Sequence, residues 1–195
     1  MNKKIAIVLF FVLAFGFVGC AGLNFSQLSP DAEDFHPRTI AVLPVTVGEF
    51  EPSRDVIGAV VSRRLVESLW YDNVVDEESV KGQIINSDEL AGEIGKFMEK
   101  LNALGVCDPA LAARLRDALH ADALILTHVT SWGHGRVEGE KVARVGLGLK
   151  LVDASRGSIM WKANHQLVED YWMIKPKLSE TADELMGLLL EEMPH

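Results

Sequence analysis

Catalytic and cofactor-binding motifs are what this sequence of 195 residues most clearly lacks. It contains no G-x-S-x-G, Walker A, C-x-x-C or H-E-x-x-H pattern, which are local signatures of hydrolases, nucleotide-binding proteins, thiol oxidoreductases and zinc proteases. Gly146 and Gly148 lie inside a strand pattern rather than between a strand and a helix, so they do not form a dinucleotide-binding loop. We therefore expect no enzymatic activity, no cofactor and no metal.

Histidine pairs at metal-ligand spacing are also absent among the six histidines. His128 and His134 flank Trp132 and could approach His165 across neighbouring strands. Imidazole groups in such a cluster could bind a metal ion. Surface or strand-end histidines are the simpler interpretation.

Cations and cysteines are scarce as well. Lysine and arginine number 19 against 28 aspartates and glutamates, which gives a formal net charge of −9. Since residues 1–19 contain two lysines and no acid, their removal would bring the charge to −11. An acidic balance disfavours nucleic acid and anionic lipid headgroups as partners. Cys107 has apolar neighbours in sequence and is expected to be a buried, unreactive thiol.

The first twenty residues have the form of a bacterial export signal. Lys3 and Lys4 precede an apolar run over residues 5–18, which is shorter than the about 20 residues of a membrane-spanning helix. Residues 17–20, FVGC, resemble the lipobox of lipoproteins, in which cleavage precedes the cysteine and acyl chains such as palmitate are attached to it. Leucine is usual where Phe17 stands. The alternative is ordinary secretion with cleavage after Ala21.

Cys20 is therefore the expected site of lipid attachment, and residues 1–19 are the expected signal peptide. Alanine rather than aspartate after the cysteine resembles the signal for release to the outer membrane. We expect a protein that is lipid-anchored on the periplasmic face of that membrane. Residues 20–37 contain two prolines and three acids without a sustained period, which predicts a flexible tether of about 20–25 Å. A single α/β domain should follow over residues 38–195.

The pattern of this domain predicts an open sheet of mixed direction with helices packed on it. Strands are expected over residues 38–45, 73–75, 123–129, 141–152 and 158–168. Helices are expected over residues 55–71, 87–101, 108–119 and 179–193, with a weak helical pattern over 77–85. Ser87, Asp108 and Ser179 are the expected helix caps. The order β-α-β-α-α-β-β-β-α favours an α/β fold with an antiparallel hairpin at the edge of a largely parallel sheet.

Four short motifs carry a family resemblance. They are IAVLP at residues 40–44, ADAL at 121–124, T-x-W-G at 130–133, and a hairpin motif over 151–161 that contains Asp153, Gly157 and Trp161. In this order after a lipobox, they resemble envelope lipoproteins related to the TolB amino-terminal domain and to CsgG, and closest is a group of lipoproteins of unknown function. The resemblance implies a fold like the TolB amino-terminal domain and a non-enzymatic role in an envelope assembly. It implies no catalytic residues.

The strand over residues 141–152 has one face almost without bulky side chains. Arg144, Gly146, Gly148 and Lys150 share this face, and glycine inside a strand weakens it unless another group approaches closely. We favour a helix packed over the face, the C-terminal one in particular. A docking surface for a partner protein is the second interpretation, and a β-bulge is the third.

Residues 132–136, WGHGR, are the other candidate for partner binding. Trp132, His134 and Arg136 alternate with glycines at a strand-to-strand connection, which could form a mobile recognition loop. A plain turn with a packed tryptophan is the favoured alternative.

Together these features predict an accessory or interaction subunit of a transport, secretion or cell-wall assembly. A CsgG-like pore component would need spare amphipathic strands of about 10 residues each, and the chain has no such pair. A penicillin-binding-protein activator would need a longer tether. The partner is expected to be another envelope protein, and a homo-oligomer is left open.

The lipobox yields a direct prediction. Cys20→Ser should leave a protein without acyl chains, because the thiol is the attachment point. Mass spectrometry of the native mature N-terminus checks this, and an unmodified N-terminus at Gly22 would contradict lipid anchoring.

Overall fold

Six strands of mixed direction form one sheet that carries helices on both faces. The structure is a computed structural model that describes residues 24–195. The strands lie in the order β1-β6-β5-β4-β2-β3. Their bounds are β1 Phe25–Leu28, β2 Thr39–Val42, β3 Asn73–Val75, β4 Ala123–Val137, β5 Glu140–Asp153 and β6 Ser158–Asp170. The sheet is parallel among β3, β2 and β4 and antiparallel from β4 through β5 and β6 to β1, which confirms the predicted fold class.

Five helices connect and cover these strands. They are α1 Arg54–Ser68, α2 Glu77–Ile85, α3 Asp88–Leu104, α4 Pro109–Leu119 and α5 Leu178–Leu190. The middle of the chain has three helices rather than the two of the expected order, because the weakly helical segment forms α2 under an Asp76 cap that accepts the Ser79 N–H at 2.7 Å. Ser87 and Asp108 cap α3 and α4 as predicted. Ser179 does not cap α5, whose N-cap is Lys177 without a side-chain bond.

Each face of the sheet has its own hydrophobic core. On one face, α1 and α5 pack against apolar residues of β2, β4, β5 and β6, including Ile40, Leu147 and Trp161. On the other, α2, α3 and α4 pack against Ala41, Leu124 and neighbouring residues. The second helical layer covers the parallel part of the sheet and the adjoining ends of β5 and β6, where Val152 and Ile159 contact it. No helix within residues 24–195 is both long enough and apolar enough to cross a bilayer.

The chain joins the sheet earlier than the sequence predicts. A flexible tether was expected over residues 20–37, but residues 25–28 form the edge strand β1, which pairs antiparallel with β6. The Trp161 indole N–H donates to the Ser26 hydroxyl at 3.1 Å, and Ala32 is buried in the core. The tether expectation is therefore wrong from residue 25 onwards. Four residues are too few for a reliable strand pattern, and it is the free edge of β6 that stabilises them.

Burial of Trp161 gives a stability prediction. Its side chain is 1% exposed at the centre of the α1–α5 core. Trp161→Ala should lower the free energy of unfolding by about 3–5 kcal/mol, because the cavity adds to the lost apolar burial. Trp172→Ala is the matched control, since that side chain is 86% exposed and its loss should change stability by less than about 0.5 kcal/mol. Denaturant melts check both, and equal midpoints would contradict the account.

Candidate interaction surfaces

The glycines of β5 make room for side chains from the strand beside it. Gly148 lies directly opposite His128 of β4, and a Cβ at this glycine would stand 1.9 Å from the His128 Cε1. At Gly146, a Cβ would stand 2.4 Å from the Thr130 Oγ1 and 2.6 Å from the Ser131 Oγ. Substituted residues would therefore clash with β4 at both positions.

A hydrogen bond across the strand explains why Gly146 in particular has no side chain. Ser131 of β4 and Gln166 of β6 both pair with Gly146. The Ser131 hydroxyl donates to the Gln166 Oε1 at 3.1 Å, so the bond passes over β5. The pairing of β4 with β5 shifts between Val129 and Ser131, a bulge that brings both Thr130 and Ser131 against the same glycine.

The C-terminal helix does not cover this face in the part of the chain that the structure describes. The C-terminal helix α5 packs on the opposite face of β5, against Leu147 and Leu149. The favoured interpretation from the sequence is therefore wrong, and the bulge explains part of the glycine pattern. Because side chains alternate along a strand, covering the apolar face with α5 leaves the glycine face turned away from that core.

Unpaired cations share the glycine face. Lys150 of β5 lies directly opposite Lys162 of β6, and Arg144 lies further along β5. Within residues 24–195, none of the three takes part in a salt bridge, and residues 1–23 contain no aspartate or glutamate. Burial lowers the pKa of Lys150, and the neighbouring Lys162 charge lowers it further. We call these three residues, with His128 and Gln166, the cationic face.

Residues 132–136 form part of a strand rather than a recognition loop. β4 continues to Val137 and stays paired with β5 throughout this stretch, so both interpretations from the sequence are wrong about its backbone. Trp132 packs against the α1–α5 core. The His134 Nε2 lies 2.9 Å from the Pro176 carbonyl oxygen, and an Arg136 Nη1–H donates to the Gly139 carbonyl at 3.0 Å.

The predicted partner-binding residues divide into two groups. Trp132, His134 and Arg136 line an open cavity of about 340 Å³, together with Phe50 and with Arg144 from the glycine face. Gly146, Gly148 and Lys150 do not line it. A single surface that contains all seven residues is therefore not formed by the structure, and Arg144 is the link between the two groups.

An exposed run of three large apolar residues in the described part of the chain was not predicted from the sequence. Trp172, Met173 and Ile174 follow β6 and are 86%, 87% and 85% exposed. The loop is held at its base, where the Tyr171 N–H donates to the Lys141 carbonyl at 2.9 Å and the Lys141 ammonium donates to the Trp172 carbonyl at 3.3 Å. We call residues 171–175 the apolar loop. Its signal in the sequence is a run of three apolar residues that belongs to no helical or strand period.

The histidines and Cys107 provide no reactive cluster among the described residues. His128 lies on the glycine face, His134 contacts Pro176, and the His165 Nδ1 accepts the Asn24 N–H at 3.2 Å. No group of three or more potential metal ligands occurs within residues 24–195. Burial raises the pKa of Cys107 to about 11, so its thiolate is scarce at neutral pH. Cys20, the expected lipid attachment site, lies outside the described residues.

Comparison with known proteins extends the description of the fold. No family model and no curated protein matches the sequence. Among solved structures, the PelC dodecamer from Paraburkholderia phytofirmans is similar over 87% of this chain and 95% of its own, with 17% identity and a TM-score of 0.54. Lipoprotein GNA1162 from Neisseria meningitidis is similar over 80% of this chain and 94% of its own, with 18% identity and a TM-score of 0.46. The likeness to PelC concerns the fold alone, and the expected link to TolB and CsgG stays a prediction.

The contact between Gly148 and His128 can be tested by a double-mutant cycle. Gly148→Ala should lower the free energy of unfolding by about 1–3 kcal/mol, because the new methyl group would overlap the His128 ring. In a His128→Ala background the same change should cost much less. Gly135→Ala is the control, because nothing lies within 4 Å of a Cβ there. Equal costs of Gly148→Ala in the two backgrounds, measured by urea unfolding, would contradict the packing explanation.

Proposed function

We propose that this protein is a non-enzymatic, lipid-anchored envelope protein whose domain rests one end of its sheet on the membrane and binds other envelope subunits. The observation that carries this proposal is the apolar loop, three large apolar side chains almost fully exposed to solvent. Soluble proteins rarely expose contiguous apolar patches without a binding function. The loop therefore needs an apolar partner, and a bilayer is one.

The pairing of β1 with β6 directs the expected lipid anchor towards this loop. β6 runs towards the loop, and β1 runs in the opposite direction, with Phe25 opposite Asn164 and Leu28 opposite Trp161. The chain before β1 therefore leads towards the loop end of the sheet. Asn24 fixes this start, since its side-chain oxygen accepts the Gln166 N–H at 3.3 Å. Cys20 lies four residues earlier, within about 14 Å of Asn24 even in a fully extended chain.

The composition of the loop suits the boundary between lipid and water. Tryptophan is enriched at membrane interfaces, where its ring is apolar and its N–H reaches polar groups. Lys175 and Lys177 follow the apolar residues, and lysine can bury its stem while its ammonium stays in water. The acyl chains would hold the protein at the bilayer, and burial of the apolar loop would orient the domain on it. The overall negative charge makes apolar insertion, rather than attraction to anionic headgroups, the main contribution.

A role in an assembly is supported by the absence of catalytic motifs in the sequence and by the likeness to PelC, which is a dodecamer. We therefore include self-association in the proposal. Ala21, at the position after the expected lipidation site Cys20, supports an outer-membrane location as part of this proposal. The identity of the other envelope subunits would come from crosslinking in intact cells.

Vesicle binding tests the membrane contact. Non-acylated protein lacking residues 1–20 should bind vesicles of phosphatidylethanolamine and phosphatidylglycerol weakly. Replacing Trp172, Met173 and Ile174 by serine should reduce the partition coefficient at least about tenfold, since burying each such side chain contributes up to about 1.5–3 kcal/mol. Flotation in a density gradient measures both. The control is Leu69→Ser/Ile85→Ser, which removes side chains that are 86% and 82% exposed elsewhere. Equal partitioning of the parent and the loop variant would contradict membrane docking.

A further inference from the structure

A groove beside one edge of the sheet is lined mainly by acidic side chains, so its charge is opposite in sign to that of the cationic face. It lies between α1 and α2 beside the edge strand β3 and has a volume of about 500 Å³. Ala59 and Val66 contribute apolar walls. Two cations line it, Arg63 and Lys81. Five acids also line it, which are Asp55, Glu67, Asp76, Glu77 and Glu78. We call this the acidic groove.

Both cations of the groove already have partners inside the same chain. Lys81 pairs with the buried Glu77 at 3.0 Å and with Asp55 at 3.5 Å, and Arg63 pairs with Glu67 and Asp183. The Asp55 side chain is nonetheless 94% exposed, and Glu78 is exposed at the start of α2. Because the cations are committed, the groove presents net negative charge beside an apolar wall.

The cationic face cannot reach the acidic groove of its own chain. Lys150 lies on β5 and Lys162 on β6, whereas the groove adjoins β3. Neighbouring strands are about 4.8 Å apart, so β5 and β6 stand about 14 Å and 19 Å from β3 across the sheet. Each surface therefore stays uncompensated within one copy, although their charges are complementary.

We propose that the cationic face of one copy binds the acidic groove of the next copy in a head-to-tail interface. This inference rests on the proposed function, because it specifies how the self-association occurs. Contact between two different surfaces of one molecule is heterologous, and it forms a ring when the rotation closes. Lys150 and Lys162 face Asp55 and Glu78 across the interface. Phe25, whose ring lies 5.6 Å from the Lys162 ammonium, adds apolar area beside the cations.

Charge reversal tests this pairing in the full acylated protein, purified in detergent and studied by light scattering. The parent should be oligomeric at micromolar concentration. Lys150→Glu/Lys162→Glu and Asp55→Lys/Glu78→Lys should each weaken association at least about tenfold, because like charges then face each other. An equimolar mixture of the two variants should associate again, since the reversed face matches the reversed groove.

The control variant changes the net charge by the same amount as Lys150→Glu/Lys162→Glu, but at positions outside the proposed interface. Lys96→Glu/Arg116→Glu alters an exposed lysine and an arginine whose side chain is 41% exposed, both outside the two surfaces and the apolar loop, and should associate like the parent. A monomeric parent, or oligomers that survive either reversal, would overturn the interface. Two monomeric variants that fail to associate on mixing would also overturn it and would assign the cationic face to a different acidic partner. Vesicle binding through the apolar loop is measured separately, on the non-acylated protein. A failure of the proposed interface can therefore be distinguished from a failure of the proposed membrane contact.

Discussion

The strand β5, Glu140–Asp153, is the element on which the rest of the structure depends. It pairs with β4 along its whole length and with β6 along nearly all of it. Its apolar residues lie under α5, and this burial fixes which way every other side chain of the strand points. Arg144, Gly146, Gly148 and Lys150 therefore share the opposite face. The glycines then let β4 and β6 contact each other over β5, as the bond between Ser131 and Gln166 shows.

The three long antiparallel strands extend the sheet beyond its helical cover and give the molecule two distinct functional directions. Along the strands, β6 ends at the apolar loop, and β1 brings the start of the described chain towards the same end. Across the strands, the cationic face and the acidic groove lie towards opposite edges. In the proposed function, the first direction is normal to the membrane and the second runs from one subunit to the next. A single lipid-anchored domain would then rest on the bilayer and join neighbours within its plane.

Much of the fold could be predicted from local patterns, but the surfaces could not. Alternation along residues 141–152 identified β5, and Asp108 with Pro109 identified the start of α4, because both signals come from adjacent residues. The continuation of β4 through Gly133 and Gly135 was missed because glycine favours turns in isolation, whereas pairing with β5 keeps these residues extended. The position of α5 on the apolar face depends on contacts distant in sequence. The exposure of Trp172 depends on the absence of a covering element, which no local pattern records.

The orientation of the domain on the membrane is the central claim, and quenching of tryptophan fluorescence by lipids with brominated acyl chains tests it most directly. The acylated protein in such bilayers should lose the emission of Trp172, which lies in the apolar loop. The other three tryptophans should be unaffected, because Trp161 is buried in the α1–α5 core and Trp70 and Trp132 pack against it. The Trp172→Phe variant should therefore show no quenching while it stays bound through its acyl chains. Undiminished quenching in that variant, or none in the parent, would contradict the account.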